Sequence, residues 1–232
     1  MNFFKKFKAF SMFEKILWIF SMVTLTLSFV FSSSHDWLKL IATLIGATSL
    51  IFISKGDVLG QVLTVIFSIL YAVISFEYRY YGEMITYLGM TMPIAVLSVI
   101  AWIKHPYEKN KAEVAVNHLS LSHKIWMFVL SFIVTIIFYF ILKYFDTPNL
   151  IESSISVTTS FIAEYLMLFR SSAYAIGDAS NDIILIILWF KATIKDISYL
   201  PMEVCFIVFL INDIYGFYNW RKIKRRQLKK QS

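Results

Sequence analysis

The chain has one cysteine, Cys205, among its 232 residues. It can form no internal disulfide and no cysteine-built metal site, and its place in an apolar run marks it as a small buried side chain. Charge is also scarce. Asp, Glu, Lys and Arg make up 16% of the chain and hydrophobic residues 58%, whereas soluble domains average about 25% charged and about 45–50% apolar. This composition argues against a soluble globular domain, and its richness in Phe and Ile argues against a disordered chain. Enzyme signatures are missing too. His35, His105, His118 and His123 all fall between apolar runs, and there is no His-Glu-x-x-His, nucleophile elbow or phosphate-binding loop. No catalytic residue, metal ligand or cofactor is therefore expected.

What the chain has is a series of long apolar runs. A bilayer-spanning helix takes about 20 residues, so the length leaves room for about eight. Eight runs stand out: Ile16 to Ser34, Trp37 to Ser54, Val58 to Phe76, Met84 to Ile103, Ile125 to Phe145, Ser153 to Phe169, Tyr174 to Phe190 and Tyr199 to Trp220. Turn-forming clusters separate them: Ser33-Ser34-His35-Asp36, Lys55-Gly56-Asp57 and the polar stretch Glu77 to Glu83. Backbone groups left unpaired in lipid are so costly that each span is predicted to be a helix, giving an all-α integral membrane protein. The sixth run is the most polar, with Ser156, Thr158, Thr159, Ser160 and Glu164 inside it.

The net charge is +7. In a membrane chain such a surplus reflects the positional bias of Lys and Arg, and no nucleic-acid partner is expected. Threading eight spans puts all but five of the 22 basic residues on one side; the exceptions are Lys39, Arg79, Lys143, Lys191 and Lys195. Both termini are therefore expected in the cytoplasm, with 221–232 as a basic tail. Sliding the chain on itself by 118 residues lays Tyr81, Met84, Trp102 and Lys104 on Tyr199, Met202, Trp220 and Lys222. This suggests two three-helix repeats, 37–103 and 153–220, joined by a linker helix at 125–145 and preceded by an N-terminal helix within 1–34. Parallel repeats of this kind are a transporter plan, with substrate bound between the halves.

Acidic residues inside spans carry the chemical information. Glu164, Asp178, Asp182, Glu203 and Asp213 lie in predicted spans, and no Lys or Arg sits in mid-span to pair with them. An ionised carboxylate at the bilayer centre costs about 2.5–3.5 kcal/mol, so these groups must face protein or a wet cavity. Glu203 falls near the surface opposite the basic side, while the other four form one belt. Helical steps of three and four align Tyr174, Asp178, Asn181, Asp182, Leu185 and Trp189. They also align Gln61, Thr64, Ser68, Tyr71 and Ser75; Ser156, Ser160 and Glu164; and Asn212, Asp213, Gly216 and Asn219. Four polar stripes at one depth predict a cavity whose substrate-binding residues are Gln61, Glu164, Tyr174, Asp178, Asn181, Asp182, Trp189, Asn212 and Asp213. Carboxylates and amides suit hydroxyls or ring nitrogens, and Tyr174 and Trp189 would stack on a ring. The lack of intramembrane bases argues against anionic substrates. Pro93 is expected to kink its helix, and Trp18, Trp37, Trp102, Trp126 and Trp220 read as headgroup anchors. Ala175-Ile176-Gly177-Asp178 lacks the first glycine of the Gly-x-Gly-Asp of intramembrane aspartyl proteases.

Asn181-Asp182-Ile183, Ser198-Tyr199-Leu200-Pro201-Met202 and the run from Asn212 to Arg221, with Tyr81-Gly82-Glu83 and Ala101 to His105 in the first half, resemble the PnuC family of vitamin and nucleoside transporters. The resemblance covers roughly Val58 to Lys222. It implies a fold like that of full-length SWEET sugar transporters, with three helices, a linker and three more after an N-terminal helix. It also implies facilitated uptake of nicotinamide riboside across the bacterial inner membrane, trapping by a cytosolic kinase, and a homotrimer in the lipid bilayer. Nicotinamide riboside members carry a Trp-x-x-Trp pair at the start of the seventh helix; Tyr174 and Gly177 stand there in this chain. Thiamine, deoxynucleosides and riboflavin remain as alternative substrates, and an intramembrane enzyme or a structural membrane protein as remoter readings.

Overall fold

Short polar side chains at the helix starts set where each rod begins in the computed structural model, which describes residues 3–32, 36–108 and 113–230. After a six-residue helix α1 (Phe3–Lys8), α2 (Met12–Phe31) opens with a capping box. The Glu14 N–H donates to Ser11 Oγ (3.2 Å) and the Ser11 N–H to Glu14 Oε2 (2.6 Å), which satisfies two donors the first turn would otherwise leave free. The helix therefore begins four residues before the predicted Ile16. Asp36 caps α3 (Trp37–Ser54) and Asp57 caps α4 (Val58–Glu77), each by accepting the N–H two residues on (2.9 Å). Of the expected turn at Ser33-Ser34-His35-Asp36, the first three residues lie outside the described ones, as do Lys109 and Lys111 of the side-by-side charge comparison.

A π turn, Tyr87–Thr91, joins α5 (Tyr81–Thr86) to α6 (Met92–Lys104), and the Met92 N–H reaches back to the Tyr87 carbonyl. The distortion expected from Pro93 thus takes the form of one widened turn just before it. Glu83, read from sequence as the end of a polar loop, lies in the first turn of α5. Then follow α7 (Leu121–Tyr144), α8 (Leu150–Leu168), α9 (Tyr174–Thr193) and α10 (Leu200–Lys229). The last is 30 residues long. The basic tail expected from Arg221 onward is helical through Lys229, because Gln227 is buried and pairs with Val114, Val116 and Glu113 of the long loop.

Six of these rods are long and apolar enough to cross a membrane: α2, α3, α4, α5 with α6, α7, and α10 with the turn before it. The helices α8 and α9 have 19 and 20 residues, but Ser, Thr, Asn and Asp interrupt their apolar faces. The outer faces are apolar, as lipid requires; on α7, Phe128, Phe132 and Phe140 all point outward, and α7 packs mainly on α8.

The packing is reciprocal. Within the first half α4 packs on α3 and α6, and within the second α9 packs on α8 and α10. Between halves, α10 packs on α3 and α6 on α8. Two tryptophans fasten these crossings: Trp220 Nε1 donates to the Ile53 carbonyl (2.8 Å) and Trp102 Nε1 to that of Met167 (3.1 Å). Both rings are essentially fully buried, 5.6 Å apart. They were expected as headgroup anchors, and the internal acceptors explain the difference. The turns after α3 and α8 match bond for bond. Gly56 and Arg170 both adopt positive φ and donate to Ile53 and Met167, while Asp57 and Ser171 donate to Phe52 and Leu166. The long loop staples both turns, with the Val114 N–H on the Gly56 carbonyl (2.9 Å) and the Asn117 N–H on that of Arg170 (3.0 Å).

Candidate functional site

Where the two halves meet, a cavity of about 70 Å³ opens between five helices and the π turn. Ser49, Leu50 and Ile53 come from α3, Gln61, Thr64 and Phe67 from α4, and Tyr87 and Thr91 from the π turn. The second half supplies Ser160, Glu164 and Met167 from α8, Asp178, Asn181 and Asp182 from α9, and Phe209 and Asp213 from α10. Six of the nine residues expected from sequence are therefore brought together: Gln61, Glu164, Asp178, Asn181, Asp182 and Asp213.

Close packing makes this convergence possible. A side chain at Gly177 would put its Cβ 2.7 Å from the Ala163 Cα. The absence of one lets α8 and α9 approach and sets Glu164 beside Asp178. The Asn181 Oδ1 accepts from Ser156 Oγ (3.1 Å) and Thr159 Oγ1 (3.0 Å), which fixes the amide and leaves its Nδ2 donor for the cavity. Asp182 and Asp213, from adjacent helices, are both buried and line the same space. Gln61 is 1% exposed, and neither its amide oxygen nor its amide nitrogen has a partner. Asp182 Oδ2 is buried and unpartnered as well. Leaving such groups unpaired costs about 1–3 kcal/mol each, and a native protein that tolerates them at a cavity is arranged for something that fills it.

Tyr174, Trp189 and Asn212 do not line the cavity. The stripe from Tyr174 to Trp189 is about 22 Å long at about 1.5 Å per residue, so only its middle can face one small space. At one end, Tyr174 packs on Trp220 (4.8 Å between rings) and over Gly216, where a Cβ would lie 2.6 Å from its hydroxyl. At the other, Trp189 Nε1 donates to the Tyr71 hydroxyl (3.0 Å) inside a group of rings formed by Tyr78, Tyr80 and Tyr199. Lys39 adds its ammonium 4.4 Å from the Tyr78 ring. Burial, with Tyr199 and Glu83 nearby, pushes the Tyr80 phenol up to about 12, so that phenol stays uncharged at neutral pH. Asn212 faces α2, donating to Ser21 Oγ (3.1 Å) and the Val208 carbonyl (2.8 Å).

The rings that do reach the cavity are Phe67, Tyr87 and Phe209. Phe67 meets Phe209 edge-on at 5.3 Å and Tyr87 edge-on at 6.0 Å. Phe67 falls three residues after Thr64 in a polar stripe already visible in the sequence, and Phe209 four before Asp213, so helical spacing contained both. Tyr87 and Thr91 come from the π turn just before Pro93, and neither stands out from the apolar run around it in the sequence. Glu83 was also missed: it is 2% exposed and leaves Oε2 unpartnered.

Residues 36–222 match the family model described as "Nicotinamide mononucleotide transporter". A protein of Neisseria mucosa named nicotinamide riboside transporter PnuC is 28% identical over 203 residues, covering 85% of this chain and 76% of its own length. The Haemophilus influenzae protein of the same name is 21% identical over 214 residues, with 91% of each chain covered. Among solved structures, one described as the crystal structure of the vitamin B3 transporter PnuC superposes with a TM-score of 0.82 at 24% identity, covering 94% of both chains.

Proposed function

We propose a function from one premise: the chain belongs to the nicotinamide mononucleotide transporter family, whose model spans most of it. It takes up nicotinamide riboside across the bacterial inner membrane by facilitated diffusion, and phosphorylation inside the cell retains the product.

The observation that carries the choice of substrate is the sign of the cavity. Glu164, Asp178, Asp182 and Asp213 line it, and no Lys, Arg or His does. Nicotinamide riboside is a pyridinium cation on an uncharged sugar, and it complements such a lining. The mononucleotide adds a phosphate that would meet four carboxyl groups and no cation to receive it. The pyridinium ring would sit among Phe67, Tyr87 and Phe209, where cation–π attraction adds about 1–2 kcal/mol. The ribose hydroxyls would take up Gln61, Asn181 and the carboxyl groups.

At about 70 Å³ the cavity is well below the roughly 300–1,000 Å³ of small-molecule pockets. The two halves must part to admit a nucleoside, by rocking about the site. In this reading all eight rods span the bilayer, as two three-helix repeats, 37–103 and 153–220, with linker helix α7 and the N-terminal α2. Both termini, the basic segment 221–232 and the tryptophan crossings lie at the cytoplasmic face, and the protein is a homotrimer. The matched turns after α3 and α8 support the repeat.

Thermal-shift binding to the purified protein tests the substrate. Nicotinamide riboside should stabilise it, and nicotinamide mononucleotide should not. Stabilisation by thiamine, riboflavin or a deoxynucleoside alone would overturn the substrate assignment while leaving the family intact.

A further inference from the structure

The outer face of α10 changes character over a single turn. Ile214, Phe217, Tyr218, Arg221, Lys224 and Arg225 follow helical steps of three and four and so share that face. Against α9 they enclose two hollows that meet at Ile176 and Phe217. The first, about 290 Å³, is an apolar groove floored by the small side chains Ala175, Ala179 and Ser180 of α9. The Ser180 hydroxyl donates to the Ile176 carbonyl (2.7 Å), so the floor offers apolar contact. Ile176, Ile183 and Ile214 are all exposed along the groove, which puts it on the lipid-facing surface. The second hollow, about 360 Å³, is lined by Arg221, Lys224 and Arg225 and by no acid.

These three cations differ from their neighbours on the same helix. Arg226 and Lys230 pair with Glu113 and Glu108 of the long loop. Arg221, Lys224 and Arg225 form no ion pair among the described residues. The Arg221 guanidinium lies instead 4.0 Å over the Phe217 ring, at the junction of the two hollows. Outside the cavity, the described acids at this end of the bundle are already engaged: Glu14 with Lys55, Asp57 with Lys6, Glu108 with Lys230 and Glu113 with Arg226. A neighbouring copy of the chain therefore has no free carboxylate at this level to lay against the three cations, and the membrane itself is left to answer them.

A basic hollow at the end of an apolar, lipid-facing groove matches a molecule with an anionic head and a hydrocarbon chain. The groove runs from Ile176 to Ile183, about 10 Å at about 1.5 Å per residue, which fits within one leaflet of a hydrocarbon core about 30 Å thick. We propose that the groove between α9 and α10 binds an anionic phospholipid, with its phosphate on Arg221, Lys224 and Arg225 and an acyl chain over Ile176, Phe217 and Ile183. Asp213 lines both this groove and the cavity, so the chain lies against the outside of the acidic wall. The site does not depend on which substrate the cavity takes.

Native mass spectrometry of the purified full chain in an uncharged detergent, titrated with dioleoylphosphatidylglycerol, tests it. The anionic lipid should bind about tenfold more tightly than dioleoylphosphatidylcholine, and glycerol 3-phosphate, which has the phosphate without the chains, should not bind. The triple variant Arg221→Gln, Lys224→Gln, Arg225→Gln should lose about 100-fold in affinity, about fivefold for each charge, and Arg225→Gln alone about fivefold. The triple variant Lys8→Gln, Lys104→Gln, Lys124→Gln removes the same charge from exposed positions at the same end of the bundle and should bind the lipid as the parent chain does. Equal losses in the two triple variants overturn the inference, by tracing the attraction to the overall charge of this end. Equal affinity for the two lipids overturns it as well. Glycerol 3-phosphate bound as tightly as the lipid would make the hollow a site for a soluble anion and exclude the lipid reading. A groove triple variant that keeps its lipid but falls apart into smaller oligomers also overturns it, by showing a second copy seated on this face.

Discussion

The two halves of the bundle share a frame and divide the chemistry. Residues 37–104 and 150–229 have matching turns, and each places its third helix on the first helix of the other. Yet the first half brings Gln61, Thr64, Phe67, Tyr87 and Thr91 to the cavity, all neutral, and the second brings all four of its acids. A common frame fixes where side chains converge without fixing what they do there. Charge is confined to one wall and two of the three rings to the other, so a flat cation would be held between unlike surfaces.

Substitutions on either wall test this division. The largest effect is expected from Asp213→Asn, which removes one of the cavity's four carboxyl groups; affinity for nicotinamide riboside should fall about 100-fold, about 2.7 kcal/mol, as for loss of a charged hydrogen bond. On the opposite wall, Phe67→Leu keeps most of the volume but removes the ring, and should weaken binding about tenfold, within the range of a desolvated cation–π contact. Equal losses from the two would show that the walls are not specialised. Gln61→Leu should act with opposite signs in two measurements. Replacing an unpartnered buried amide raises the unfolding stability by about 1 kcal/mol, while ligand affinity drops severalfold.

The shared frame has its own test. Trp102→Phe and Trp220→Phe each remove one indole donor from a carbonyl of the opposite half, and each should lower stability by about 1 kcal/mol, seen as similar shifts in thermal unfolding. A large inequality between them would mean that the halves are not fastened alike. The smallest effect belongs to Trp189→Phe, where ligand affinity should stay within about twofold, because the ring lies outside the cavity and loses only its bond to Tyr71.

Much of this was legible in the sequence. Apolar runs located every long helix, and polar stripes held eight of the cavity's residues, six of them named as substrate-binding. The correspondence between the two halves was harder to see. The turns after α3 and α8 are related by 114 positions, α4 and α9 by 116 and the two tryptophans by 118, so one fixed slide of the chain matches only the third helices. Tyr174 and Trp189 were expected at the ligand because helical spacing reports a shared face and not a shared depth. Phe67 and Phe209 escaped notice because an apolar ring inside an apolar helix does not stand out. Glu83 was hidden by Glu77 and Arg79, whose exposed charges made its neighbourhood read as a loop.

The reciprocal tryptophan bonds also bear on how the molecule is assembled at the ribosome. The Ile53 carbonyl receives its indole from a residue 167 positions later, so the first half emerges and enters the membrane long before its partner exists. Trp102 likewise waits 65 residues for Met167. Until α10 is synthesised, the cleft between the halves lacks Phe209 and Asp213, and the acids of α8 and α9 are without the fourth carboxyl group. Helix α10 therefore closes both the frame and the site, and a chain cut short before it would lack both the indole on the Ile53 carbonyl and the Asp213 carboxyl group of the cavity.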